Sequence, residues 1–509
     1  MEDGFNDSSY DEDIDERLSE EIAEANKSDE EHDEDDVENF YEEIEPITSE
    51  SQTNFDRLWD LWSNKVMGKY AYDRPLQHRA LLEVLLGQLF RNIKITKARI
   101  EIDGRISFLH MQNQGSAKNT VFPPFEQIAN GLNERLKEIK SNKITTRAKE
   151  IVQFTEESTI GSVRVNDEGK AEIIHGEFDK KFNDIILIRE AMIVFDEKHK
   201  GMVRFINCAL DSMWQGNTIT KRLASTETPI VCENNLSLIL TTFPTLSFTD
   251  EVLLSGLFRR FLIYWNDIPL NEQEKATLKS IENFATSRVE KELEDEIFGS
   301  DINKIILLLV TAYLPYRNAD DIQFKIQDGV IEELQTFSNR IYKLQLTMPS
   351  KISDVFQSIK DTYTNFIMVI AAHHALINQG YELANENKEA NSGVITLADV
   401  KDSIAFVEPL LISAYKFLAR TYMVLSDYHE KEELRMENQF LETLVLAFRS
   451  SGKVSLKRSD LIGIISKLAQ EKGFGFTSYP TILKLLRKAK KNVINYNENE
   501  RNPIISFKM

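Results

Sequence analysis

The chain has 509 residues, a formal net charge of −21 and only two cysteines, Cys208 and Cys232. That length holds two or three domains with sizeable cores. The cysteine count excludes a disulfide framework and a paired-cysteine zinc site. The acidic start lacks the pattern of a signal peptide, and the longest apolar run, near Ile305–Val310, is too short to span a bilayer. An intracellular, cytoplasmic protein with no membrane partner is expected.

The charge sits at one end. Residues 1–50 carry 23 Asp/Glu and 2 Lys/Arg, and the other 59 acids and 59 bases cancel. Residues 1–52 are therefore expected to form a disordered acidic tail, because such a segment cannot bury enough apolar surface to offset its chain entropy. The tail could serve as a solubilising arm, as a nucleic-acid mimic that competes for the protein's own basic surfaces, or as a contact for other proteins.

Residues 55–100 read as helical, with LLEVLLGQLF from Leu81 spaced for a buried helix. Ile106–Thr120, ISFLHMQNQGSAKNT, reads as a strand running into a phosphate-cradling loop. Gly115 would let backbone N–H groups approach phosphate oxygens, with Ser116 and Ala117 small beside it. Lys118 would set a cation against the β- and γ-phosphates. Gln112 stands where the first glycine of such a loop belongs, and Asn119 stands where a Ser or Thr would ligate Mg²⁺. The Asn119 amide oxygen or the Thr120 hydroxyl are the available substitutes.

A helix over 124–140 follows, then two alternating runs around Asn-Asp-Glu-Gly that predict a hairpin over 162–175. AMIVFDE predicts a buried strand over 191–197 ending in Asp196 and Glu197. Beside a phosphate loop, Asp196 would hold Mg²⁺ and Glu197 would polarise the attacking water. A second hairpin is predicted over 217–232, with Lys221 and Arg222 near its tip. Residues 236–242, LSLILTT, read as another buried strand closed by Phe243-Pro244. Two adjacent arginines, Arg259 and Arg260, follow in an apolar setting and need anionic partners. Either Arg260 makes a structural ion pair or it enters a neighbouring subunit's site.

After Trp265 the pattern is helical to about residue 445, interrupted by the polar loop from Ala384. Thr396 with Asp399 gives an N-cap signature for the helix that follows. Arg449–Met509 holds 13 Lys/Arg and 4 Asp/Glu. Helices at 436–450, at 458–472 and after Pro480, followed by the strands VINY and IISF, describe a winged helix. Lys484, Arg487, Lys488, Lys490 and Lys491 would line or flank the helix that enters a DNA groove. The alternative is a solvated basic face without a ligand.

The order of these motifs resembles the AAA+ motor and C-terminal winged helix of the minichromosome maintenance (MCM) replicative helicases, in a compact form such as those of viruses and plasmids. Ala117-Lys118 is similar to that family's phosphate loop, and Asp196-Glu197 to its Walker B end. The two hairpins match its inserted and pre-sensor hairpins, and Arg259-Arg260-Phe261 resembles its arginine finger. Phe243 replaces the family's polar sensor Asn, which leaves Thr241 or Thr242 to position water. The family's large N-terminal DNA-binding region has no counterpart here.

The resemblance implies a P-loop AAA+ core over 53–270, a helical lid over 271–432 and a winged helix over 433–509. It implies ATP and Mg²⁺ as cofactors, Glu197 and Arg260 as catalytic residues, single- and double-stranded DNA as partner, and a homo-hexamer or similar ring. The expected function is an ATP-dependent DNA helicase in genome replication. The alternative is a DNA-binding initiator or assembly protein whose nucleotide is bound but scarcely hydrolysed.

Overall fold

Five short runs, three of them buried throughout, form one parallel sheet in the computed structural model. The model describes residues 53–68, 74–97, 100–112, 119–139, 145–151, 161–165, 171–175, 184–189, 191, 206, 210, 218–221, 230–233, 237–242, 256–266, 288–346, 350–472, 474–490, 493–497 and 500–507. The chain divides into two compact units, residues 1–417 and 418–509.

The sheet of the first unit contains β1 (Phe108–Gln112), β2 (Ala148–Glu150), β3 (Ile185–Ile188), β4 (Ser237–Thr242) and β5 (Leu262–Asn266), in the spatial order β5-β1-β4-β3-β2. Every pairing is parallel: β4 sets Ile239 beside both Phe108 and Leu187, and β1 sets His110 beside Tyr264. β1, β3 and β4 are buried throughout, as strands covered on both faces must be. The helix Phe122–Glu138 buries Phe122, Phe125, Ile128, Ala129, Leu132 and Leu136, a single stripe at helical spacing.

The expected strand over 191–197 falls almost wholly outside the described residues. The strand occupying the third place is Ile185–Ile188, Ala191 lies in a turn, and residues 192–197 fall outside the described residues. Both expected hairpins form: Gly161–Val165 pairs antiparallel with Ala171–His175, and Thr218–Lys221 with Ile230–Glu233.

A second sheet corrects two helical expectations. Ile93–Lys97, inside the stretch read as helical, is a strand, because the preceding helix Pro75–Leu89 stops and IKITK alternates at period two. Ile322–Ile326 and Ser392–Ile395 are strands within the region read as all-helical. These three pair in parallel, and Ile100–Asp103 closes the sheet as a hairpin partner of Ile93–Lys97. Ser392–Ile395 lies at an edge, and the Gln379 side chain seals it. Its Nε2 donates to the Val394 carbonyl at 2.7 Å, and its Oε1 accepts from the Val394 N–H at 3.0 Å.

Helices Arg288–Tyr313 and Ser350–Asn385 pack closely enough that a Cβ on Gly380 would lie 2.1 Å from the Ala312 carbonyl oxygen. Glu296–Tyr316 is long and apolar enough to cross a membrane, but 67% of that window is buried inside the fold, where it acts as a core helix. Thr396 and Asp399 form the anticipated reciprocal cap of the helix Leu397–Ser451.

The helix Pro75–Leu89 buries charge as well as hydrocarbon. Glu83 is fully enclosed. Its Oε1 lies 2.7 Å from Arg79 Nε and 3.0 Å from His374 Nε2, and its Oε2 lies 2.9 Å from His373 Nδ1. His373 Nε2–H donates to the Gly104 carbonyl at 2.9 Å. Arg79 also contacts His374, pairs with Asp402 at 2.9 Å and stacks 4.1 Å from the Phe55 ring centroid. Burial alone would raise the Glu83 carboxyl, but Arg79, His374 and His373 outweigh it and hold the group well below the usual carboxylate range. Burial, then Arg79, lowers His374 from its ordinary 6.5.

In the second unit, helices Arg458–Glu471 and Tyr479–Lys490 and the end of Leu397–Ser451 enclose a core of Leu444, Leu461, Ile465, Phe476, Ile482 and Leu486. The stretch expected as a separate helix at 436–450 is the last part of Leu397–Ser451. Ile494–Asn495 and Ile504–Phe507 form as expected, and Ser455–Lys457 adds an unanticipated third strand. The Asn502 side chain accepts from the Ser459 N–H at 3.0 Å and donates to its hydroxyl, fixing the hairpin tip to the start of Arg458–Glu471.

Two outcomes follow from the Glu83 network. Glu83→Gln strands Arg79 without its buried anion and should cost about 3–5 kcal/mol, read as a loss in denaturant midpoint. Between the folded value of His374 and pH 6.5 the unfolded chain binds the extra proton, so stability falls on acidification from about pH 6.5. The Glu83 contribution is lost in turn below about pH 4.5, its ordinary value. Thermal melts of the wild type and His374→Gln between pH 7.5 and 5 should show the steeper decline in the wild type.

Candidate nucleotide site and basic helix

The strand order dictates where a ligand can lie. From β1 the chain reaches the far edge at β2, returns through β3 and β4, and then adds β5 on the other side of β1. The carboxyl end of β1 is thus flanked by connections that leave in opposite directions, the place where open parallel sheets bind ligands. The loop expected to cradle phosphate leaves β1 at this end.

Gly115, Ser116, Ala117 and Lys118 lie outside the described residues, as do Asp196, Glu197, Arg222 and Lys491. Asn119 and Thr120 are described, half-buried in the turn that leads into Phe122–Glu138. Pro123 and Pro124 lack N–H donors, so the first bonds of this turn are Phe122 N–H to the Asn119 carbonyl at 3.2 Å and Phe125 N–H to the Val121 carbonyl at 3.2 Å.

The ends of β3 and β4 and the turn before Phe122–Glu138 meet at Thr241. Its Oγ1 is 2.5 Å from the Arg189 carbonyl oxygen and 3.2 Å from the Asn119 amide, and its own carbonyl accepts from the Ala191 N–H at 2.9 Å. A hydroxyl has one proton, and the shorter contact takes it. Asn119 Oδ1 is the amide atom that faces the Thr241 hydroxyl, at 3.2 Å. That oxygen is the donor type a hard cation takes, and Mg²⁺ takes few protein ligands because phosphates and water supply the rest. No group of three or more His, Cys, Asp or Glu that could hold a metal occurs among the described residues. Thr242 is buried beside Thr241.

Arg189, which the sequence reading passed over, closes the set. It follows β3 directly, and its Nη2 lies 3.1 Å from both Glu126 on the helix Phe122–Glu138 and Glu150 at the end of β2. Its guanidinium carbon lies 5.6 Å from the Phe122 ring centroid. The run IILI before Arg189 was the available signal, masked by the stronger-looking AMIVF a few residues later.

Beneath β1, Gln77 Nε2 lies 3.0 Å from His110 Nδ1, and Arg74 donates to Gln112 Oε1 at 2.7 Å. Gln112, in place of a loop glycine, is thus a buried anchor rather than part of an open turn. Arg260 lies in the short turn Phe258–Arg260, is only 6% exposed and is engaged within the chain, while Arg259 is half-exposed. Such enclosure suits the structural ion pair more than insertion into a neighbour. Lys221 ends its strand, opposite Ile230.

The basic helix Tyr479–Lys490 sorts its cations. Ile482, Leu485, Leu486 and Ala489 face the core. Lys484 and Arg487 are exposed, one helical step apart on the outer face with Pro480. Lys488 points elsewhere and donates to Glu437 at 2.6 Å, and Lys490 lies 5.0 Å over the Tyr496 ring. The five cations grouped by sequence are therefore not one surface: two are presented outward, two are held by neighbours and Lys491 lies outside the described residues. No protein-family model matches this chain, and no curated protein sequence matches it.

Proposed function

We propose that the chain is an ATP-dependent DNA helicase of MCM type, a P-loop AAA+ ATPase with a C-terminal winged helix, working as a hexameric or similar ring in genome replication. The observation that carries this reading is the anchoring of Asn119 to Thr241, and of Thr241 to Arg189, at the carboxyl ends of the central strands. Lys118 immediately precedes Asn119 in the sequence, and Asn119 is the first described residue after the loop. In this reading Lys118 and the loop N–H groups hold the phosphates of ATP. Asp196 and Asn119 hold Mg²⁺, Glu197 orients the attacking water, and Thr241 keeps the loop in register with the fourth strand.

A second reading has specific support: a DNA-binding initiator that holds nucleotide but scarcely hydrolyses it. The third strand leads into Arg189 rather than directly into an acid, and an amide replaces the usual hydroxyl at Asn119. ATP turnover by the purified full chain with and without DNA separates the two. Stimulated turnover is expected; nucleotide binding with no turnover under either condition would favour the initiator.

Lys118→Ala should abolish nucleotide binding, whereas Glu197→Gln should retain it and lose turnover, because the first contacts ground-state phosphates and the second acts on water. Filter binding of labelled ATP beside phosphate release checks both. Unchanged turnover in the Glu197 variant would remove that residue from catalysis.

The winged-helix reading predicts unequal effects along Tyr479–Lys490. Lys484→Ala and Arg487→Ala should each weaken DNA binding across sequences and reduce the salt slope by about one phosphate contact, close to 0.9 in log–log units. Lys488→Ala should leave the slope unchanged, since its ammonium is committed to Glu437. Equal slopes for all three variants in salt-dependent titrations would overturn the assignment.

A further inference from the structure

We propose that Arg189 is the positioning residue of the nucleotide site, holding the turn Asn119–Phe122 against the ends of β2, β3 and β4 with main chain and side chain at once. This rests on the ATPase reading above, while the clamp itself is a matter of geometry. The main-chain carbonyl fixes the Thr241 hydroxyl at 2.5 Å, and through it Asn119. The guanidinium reaches forward to Glu126, one turn into the helix that the phosphate loop feeds, and sideways to Glu150, each at 3.1 Å. It also lies over Phe122, the first residue of that helix.

The two carboxylates explain why the cation matters. Glu126 and Glu150 come from different elements and share one Nη2 atom, and Arg189 is the only cation within 4 Å of either among the described residues. With Arg189 removed, two like charges face each other across the gap between helix and sheet, and repulsion drives the helix start outward. Displacement by about 1 Å at such a junction costs on the order of a hundred-fold in rate.

The test uses the full chain as wild type, Arg189→Gln, Arg189→Lys and the triple variant Arg189→Gln/Glu126→Gln/Glu150→Gln. Two readouts are taken: hydrogen–deuterium exchange of peptides covering 119–130 without nucleotide, and ATP binding and turnover. Arg189→Gln should speed exchange selectively in 119–130, with β5 peptides unchanged, and lower turnover on the order of a hundred-fold. The triple variant, with the repulsion gone, should recover protection and part of the rate, and Arg189→Lys should fall between wild type and Arg189→Gln. If Arg189→Gln fails to fold, the comparison of Arg189→Lys with wild type decides by the same readouts. Unchanged exchange in 119–130, or a triple variant no better than Arg189→Gln, would overturn the proposal. Altered exchange in a protein whose wild type neither binds nor hydrolyses ATP would sink the ATPase reading and leave the clamp standing.

Discussion

A fully buried carboxylate governs how the first unit is put together. Glu83 sits inside a helix whose neighbours are nearly all enclosed, and an isolated charge there would be prohibitively expensive. It is tolerable because Arg79 lies one turn earlier on the same helix and because His373 and His374, almost 300 residues later, arrive on the helix Ser350–Asn385. The network therefore requires a particular long-range docking, and no near-miss arrangement satisfies it. Arg79 extends the requirement to Asp402 at the start of the next helix and to the Phe55 ring near the start of the described chain. Hydrocarbon packing would permit many relative positions of these helices; the charges select one.

That selection reaches the site. The same helix, Pro75–Leu89, carries Gln77 to His110 of β1 and Gln88 to Ser237 at the start of β4. On the other side, Tyr363 of Ser350–Asn385 accepts from the Ile263 N–H of β5 at 2.8 Å, so the helix that supplies the two histidines also touches the sheet. β1 is thereby held near its middle and β4 at its start by buried polar contacts, and the loop leaves a restrained strand. Catalytic geometry benefits from such second-layer restraint, since a loop is only as well placed as the strand it leaves.

What could be read from residues alone was the part encoded locally. The strand ending at Gln112, the two hairpins, the Thr396 cap and the helix–helix–hairpin layout of the second unit all depend on period, turn residues or capping within a dozen positions, and each appears. What escaped was set by tertiary choice. DIILIREAMIVFDE holds two apolar runs of similar strength, and nothing local says which enters the third place in the sheet. IKITK and IQFKI alternate well, but both lie within long helical surroundings that drew them into helices on paper, and only their mutual pairing across more than 200 residues makes them strands. Lys488 carries the same charge as Lys484, and its difference came from Glu437, 51 residues upstream. Arg189 was invisible because its meaning lies wholly in Glu126, Glu150 and Thr241.

The Gln379 amide on Val394 also constrains how copies of this chain can meet. A strand at a sheet edge is a template on which another chain can extend the ladder. With one side-chain amide mimicking a short piece of strand, Ser392–Ile395 presents no open hydrogen-bonding step at its centre. Lateral growth of the second sheet through this border is closed. Any contact between copies at this border would then be made by side chains and not by a continued backbone ladder.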